Sequence, residues 1–201
     1  MRLNARQLRE LEEKRVQGEI REIKRNPIYF ILENIYDTYN IGGLFRLADA
    51  LSVEKIYLCG ETEIPPNHKI MKASVGTYKI VPWKYKETVK EAIKEIQDDL
   101  NIKHQTLNVK DKSFKVERLK FKVIAVEQSS KSIPYNQADY LLPLALIFGN
   151  ESYGILPETL KLADQIVEIP MWGINKSLNV IVSAAIVSYW IAAASRFSPR
   201  R

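Results

Sequence analysis

Residues 169–180, IPMWGINKSLNV, set a Gly, two Asn, a Lys and a Ser between two apolar stretches. A strand-like VEIP leads in, and the apolar run IVSAAIVSYWIAAA leads out. Gly173 and Asn175 permit a tight turn, and Ser177 or Asn175 suits the cap of the following helix. Neither role accounts for Asn179, just inside that apolar helix, where an unpaired amide is costly. A polar ligand accounts for it better than a turn does. Two further segments share this character. In DTYNIGGLFRLADA, Asn40, Gly42, Gly43 and Arg46 sit at a strand-to-helix junction, where free N–H groups favour an anion such as a phosphate, or a ribose. Close helix packing with a surface Arg explains the same residues. In LALIFGNESYGIL an apolar strand ends in Gly149, Asn150 and Glu151, a carboxylate that needs solvent or a partner. A plain turn also uses Gly and Asn.

These residues need elements to hold them. Residues 28–35 read as a buried strand and 41–52 as a helix with Asn40 as its N-cap. A strand follows at 55–60, a short helix around Met71, a short strand in IVPWKY and an amphipathic helix at 87–100. Strands at 122–128, within YLLPLALIFGN and in QIVEIP then alternate with helices at 156–163 and 178–196. Such alternation predicts an α/β fold with a mainly parallel sheet flanked by helices. Ligands of such sheets bind beyond the carboxyl ends of strands, which is where all three polar segments fall. A charged helix over 3–25, ended by Pro27, precedes this body as an extension of residues 1–27, and 101–121 read as a basic insertion or a long connector.

Composition narrows the chemistry. Thirty Lys and Arg against 24 Asp and Glu give +6 and a pI near 9.2, compatible with a polyanionic partner such as RNA. A solvated charged surface gives the same balance. Some excess is local: residues 84–122 hold 11 basic against 7 acidic side chains, and residues 1–26 hold 8 against 5. Cys59 is the single cysteine, and His68 and His104 lie far apart, so neither a disulfide nor a metal site is expected. A reducing cytoplasm fits, with Cys59 as a small buried hydrophobe. No apolar signal segment opens the chain. The one membrane candidate, 178–194, is short and rich in Ser and Ala, and reads better as a core or dimer helix. The glycines form neither GxGxxG nor a Walker A loop, which argues against an ordinary NAD or nucleotide fold.

In order along the chain, Asn40, Gly42 and Arg46 in an N-x-G-x-x-x-R frame, Gly149, Glu151 and Gly154 in G-x-E-x-x-G, and Ile169-Pro170-Met171-x-Gly173 with Ser177-Leu178-Asn179-Val180 resemble the three motifs of the SpoU (TrmH-type) branch of the SPOUT RNA methyltransferases. The resemblance covers residues 28–196, and its third motif is the most specific. It implies a deep C-terminal trefoil knot within residues 28–201 and a homodimer. It further implies S-adenosyl-L-methionine as methyl donor and a ribose 2′-hydroxyl of tRNA or rRNA as acceptor. Carried over, the cofactor rests near Gly149, Ile169, Met171 and Leu178, and Arg46, Asn40, Glu151, Ser177 and Asn179 face the ribose. Methyl transfer is a displacement, so alignment is a large share of the work. Arg46, a poor base, suits phosphate clamping and alkoxide stabilisation. Tyr39 stands where many members carry Pro, and Ile181 where a small residue often follows SLNV. Residues 1–27 have no room for the RNA-binding domain of many relatives. Capture then falls to the body, the N-terminal helix, 101–121, or Lys69 and Lys72 in HKIMKASVG. The alternative is a catalytically silent RNA-binding protein of the same fold.

Overall fold

The computed structural model describes residues 24–108 and 121–195. The expected helix at 3–25 and most of 101–121 lie outside them. Seven strands form one parallel sheet: β1 (Asn26–Glu33), β2 (Val53–Cys59), β3 (Trp83–Lys86), β4 (Lys122–Val126), β5 (Ile133–Pro134), β6 (Leu144–Phe148) and β7 (Gln165–Glu168). Their spatial order is β3-β2-β1-β6-β4-β7-β5. The chain therefore builds outward from β1 on one side, then crosses to β6 and β4 on the other. The β1–β6 seam, with Leu32 opposite Phe148, is where the order reverses.

Both faces of the sheet are covered, which explains the near-continuous apolar runs of its strands. Side chains alternate, so Ile28, Phe30 and Leu32 of β1 enter one core while Tyr29 and Ile31 enter the other. The first core packs under α1 (Thr38–Ala50) and α5 (Val180–Ala194), with Ile70 of α2 (His68–Ser74). The second packs under α3 (Val89–Asn108) through Val89, Ala92, Ile96 and Leu100, an i, i+3, i+7, i+11 stripe. Each fully buried Leu, Ile or Phe contributes roughly 1.5–3 kcal/mol, so two such cores hold the strand ends firmly.

Several boundaries differ from expectation for physical reasons. Asn40 is not the cap of α1: Asp37 is, its carboxylate accepting from the Tyr39 N–H at 2.8 Å, and Asn40 lies in the first turn. Asn179, and neither Ser177 nor Asn175, caps α5. The helix at 156–163 shrinks to one turn, α4 (Pro157–Leu160), and that at 87–100 runs on into the basic segment as α3. Gly42 and Gly43 serve packing: a Cβ on Gly42 would lie 2.4 Å from the Ala73 Cβ in α2, and one on Gly43 would lie 2.4 Å from the Ile181 Cδ1 in α5. Cys59 is buried as expected, and burial first, then Glu33, pushes its thiol up to about 12, which makes it inert. Among the described residues no helix is long and apolar enough to cross a membrane, and no His, Cys, Asp and Glu cluster could hold a metal ion.

Candidate active site

The loops that follow β1, β6 and β7 meet at the carboxyl edge of the sheet. A chain of hydrogen bonds joins them. The Ile181 N–H at the start of α5 donates to the Asn179 Oδ1 at 2.8 Å. Asn179 Nδ2 donates to Asn40 Oδ1 at 2.9 Å, and Asn40 Nδ2 donates to Glu151 Oε1 at 2.7 Å. A backbone donor at one end and a carboxylate acceptor at the other dictate which way both amides face. Each bond polarises the next, and the chain ends on the Glu151 carboxylate. Asn40 is only 5% exposed, so its pairing also removes the cost of a buried amide.

The Glu151 loop is rigidly built. Asn150 and Gly154 exchange backbone bonds of 3.1 and 2.9 Å, closing a tight turn around Glu151. Gly154 has φ +71°, and a Cβ there would strike the Glu127 carboxylate at 2.1 Å. Asn150 ties the loop to β1, its Nδ2 donating to Asn34 O at 2.7 Å while its Oδ1 accepts from the Ser152 N–H. Behind it, buried Glu33 accepts from the Leu156 N–H at 2.9 Å and from Thr159 Oγ1 at 2.5 Å. These fixed partners give the loop one geometry.

Beside the chain lies a cavity of about 390 Å³, within the size range that takes a drug-sized ligand. Gly149, Ile169, Met171 and Leu178 line it, as do Ser177 and Glu151. Four expected cofactor contacts and two expected ribose-facing groups thus line one cavity, whereas Asn40 and Asn179 do not line it. Three carboxylates, Glu127, Glu151 and Glu168, line it against one lysine, Lys176. That balance, with main-chain groups at the strand ends, fits a ligand with cationic centres and a purine edge. S-adenosylmethionine is such a ligand. Arg46 is placed differently: exposed on α1, one turn beyond Gly43, with no hydrogen bond or ion pair among the described residues. It does not line the cavity. Lys69 and Lys72 are exposed on α2, the helix against which Gly42 packs.

Sequence reasoning passed over Glu127 and Glu168. Glu127 accepts from the Ile155 and Gln128 N–H groups at 2.9 and 2.8 Å, and Glu168 accepts from Ser132 Oγ at 2.7 Å. Glu168 ends β7 and Glu127 follows β4 directly, so the carboxyl-end rule that selected the other loops reaches them too. Gln128 Nε2 donates to Lys176 O at 2.7 Å, joining the β4 and β7 loops across the cavity.

Comparison with known proteins gives the same picture. The chain is 27% identical over 172 residues to a tRNA (guanosine(18)-2′-O)-methyltransferase of Aquifex aeolicus, covering 85% of this chain and 71% of that one. Its Thermus thermophilus counterpart is 28% identical over 181 residues, covering 90% and 81%. The fold matches a solved AdoMet-bound rRNA methyltransferase from Sinorhizobium meliloti with a TM-score of 0.69 at 24% identity. That match covers 85% of this chain but spans little over half, 57%, of the solved one. The model of the SpoU rRNA methylase family matches residues 27–189, and the chain belongs to that family.

Proposed function

We propose that this protein transfers a methyl group from S-adenosylmethionine to a ribose 2′-hydroxyl of tRNA or rRNA. The observation that carries the reading is one cavity lined by the second and third motif loops, with Asn40 of the first motif hydrogen-bonded both to Glu151 of its lining and to Asn179. The relatives named above are 2′-O-methyltransferases, which supports the same reaction. When bound, the cofactor would supply a sulfonium methyl group, which a correctly aligned ribose oxygen would take up as the thioether leaves and the hydroxyl gives up its proton.

The protein's task is then to align and polarise that oxygen. Glu151 accepts the hydrogen bond of the incoming hydroxyl through Oε2, which has no partner among the described residues. Asn40 and Asn179 hold Glu151 in place, and Ser177 sits at the same wall. Gly149, Ile169, Met171 and Leu178 hold the cofactor through main-chain groups and apolar cover. Arg46 clamps a phosphate of the substrate and stabilises the developing alkoxide. Its exposure on α1, with no partner among the described residues, leaves the guanidinium available for that role.

The same proposal includes a homodimer, the trefoil knot and a cytoplasmic setting among RNA substrates. One face of α5 is in the core through Val180, Ala184, Val187 and Ile191, while Val182, Tyr189 and Trp190 stay exposed on the same helix. A second apolar face on one helix calls for a second partner. Residues 28–201 form the catalytic unit, with residues 1–27 as its charged extension.

Calorimetry with S-adenosylhomocysteine and with NAD tests the cofactor: binding of the first and not the second is expected. Ribose-methylation mapping of total RNA with and without the gene tests the reaction. At least one 2′-O-methyl site should vanish. Cofactor binding with no site lost would favour the silent RNA-binding reading instead.

A further inference from the structure

Two tyrosines beside the site are used by nothing described so far. Tyr36 follows β1 and Tyr153 follows Glu151 by two positions; they are 44% and 53% exposed. Their rings stand 6.4 Å apart at 66°, and their hydroxyls are hydrogen-bonded at 2.5 Å. The Tyr36 hydroxyl also donates to the Glu61 carboxylate, and the Glu61 N–H donates to Asn34 Oδ1 at 2.9 Å. Asn34 O in turn accepts from Asn150, at the foot of the Tyr153 loop. Two exposed aromatic rings are thus pinned at both backbone and hydroxyl. Free surface tyrosines have no such ties, and the arrangement costs little further ordering when a flat ligand arrives.

We infer that Tyr36 and Tyr153 form the platform on which the nucleobase of the methylated nucleotide stacks. The inference rests on the methyltransferase reading, because that reading puts the ribose at Glu151. The base hangs from the sugar carbon next to the one bearing the 2′-hydroxyl. It must therefore lie close beside Glu151, and Tyr153 is both two residues away and a wall of the cavity. Charge selects base over backbone. The Glu61 carboxylate at the platform repels a phosphate, whereas Arg46, Lys69 and Lys72 lie on α1 and α2. Aromatic faces stack on any base, and sequence-specific RNA recognition commonly splays a base onto such a face.

The test uses the full chain with unfractionated tRNA and rRNA from cells lacking the gene. Tyr36→Ala should raise the KM for RNA about 5- to 100-fold, the range for losing one stacked base. Its affinity for S-adenosylhomocysteine should stay at the wild-type value, which also reports a folded protein. Tyr36→Phe, keeping the ring, should restore KM to within about threefold, since only the hydroxyl's bonds to Tyr153 and Glu61 are gone. An RNA oligonucleotide with 2-aminopurine at the mapped nucleotide should be quenched on binding by wild type and Tyr36→Phe but not by Tyr36→Ala. An unchanged KM and quench in Tyr36→Ala, with wild type active, overturns the platform and leaves the methyltransferase reading standing. Wild-type protein that methylates no RNA fraction overturns both.

Discussion

Glu95 and Glu151 are both hydrogen-bonded glutamates, one over each end of the molecule's chemistry, and they are built in opposite ways. Glu95, on α3, accepts from Lys86 at 2.6 Å, from Lys84 at 2.9 Å and from Tyr57 at 3.0 Å. Lys55 stands 3.7 Å away. Every lone pair of that carboxylate faces a donor. Glu151, which lines the cavity, instead takes one neutral amide on one oxygen and has no partner for the other among the described residues. Arg46, on α1, carries a charge with no partner among the described residues. The contrast bears on the proposed site: the fold itself completes the pairing of Glu95, whereas Glu151 keeps one oxygen for the proposed substrate.

The sharpest way to break this contrast is at Arg46. Arg46→Ala should lower kcat about 10²- to 10³-fold, the usual loss for one donor to a developing oxyanion. Its melting temperature should stay near wild type, because the side chain is exposed and has no partner among the described residues. Arg46→Lys should fall near Arg46→Ala, since a point charge does not reproduce a planar fork. Near-normal turnover in the lysine variant would remove the clamp from the account.

A smaller effect is expected at the amide chain. Asn40→Ala removes the buried amide that joins Asn179 to Glu151, two exposed side chains that water can re-pair. It should cost about 0.5–1.5 kcal/mol of stability as well as activity. Asn179→Ala removes the neighbouring link and the α5 cap together. If the chain polarises as a unit, the double variant should be less damaged than the sum, with a coupling of about 0.5–3 kcal/mol in denaturant titration. Strict additivity would reduce the chain to two separate bonds.

The same contrast explains what could be read from sequence. The strands and their order of appearance were legible because a two-faced parallel sheet demands long apolar runs, and β1, β2, β4, β6 and β7 carry them. The three loops of the candidate site were legible because glycines and polar residues cluster directly after the apolar runs of β1, β6 and β7. Helix ends were less so. Asp37 and Asn40 are both good caps by residue type, and only the geometry shows that Asn40 is engaged by Glu151 and Asn179 instead. The double duty of Asn179, cap by its oxygen and link by its nitrogen, needs Asn40 at 2.9 Å from a segment 139 residues away. Gly42 and Gly43 looked equally suited to an anion and to packing, and contacts with Ala73 and Ile181 decide for packing. Nothing local in EAIKEI marked Glu95 as a hub, because its lysines come from β2 and β3.

That hub supplies the mildest and most separable prediction. Burial alone would raise the Glu95 carboxyl, but Lys86, Lys84 and Tyr57 outweigh it and hold it at about 2, below its ordinary 4.5. A folded value below the unfolded one means that the unfolded chain binds more protons in this window, so stability rises with pH. The contribution is fully present above about 4.5 and is lost as pH falls through about 2. Lys84 is 55% exposed, and solvent screening limits the whole network to about 1 kcal/mol. Glu95→Gln should therefore flatten the acid-unfolding profile between those two pH values. It should leave methyl transfer at neutral pH at the wild-type rate, since α3 covers the face of the sheet opposite α1 and α5. An acid profile that keeps its slope would mean the lysines are ordered without being stabilising. A lost activity would mean that scaffold and site are coupled through the sheet, and the separation drawn between the two glutamates would fail.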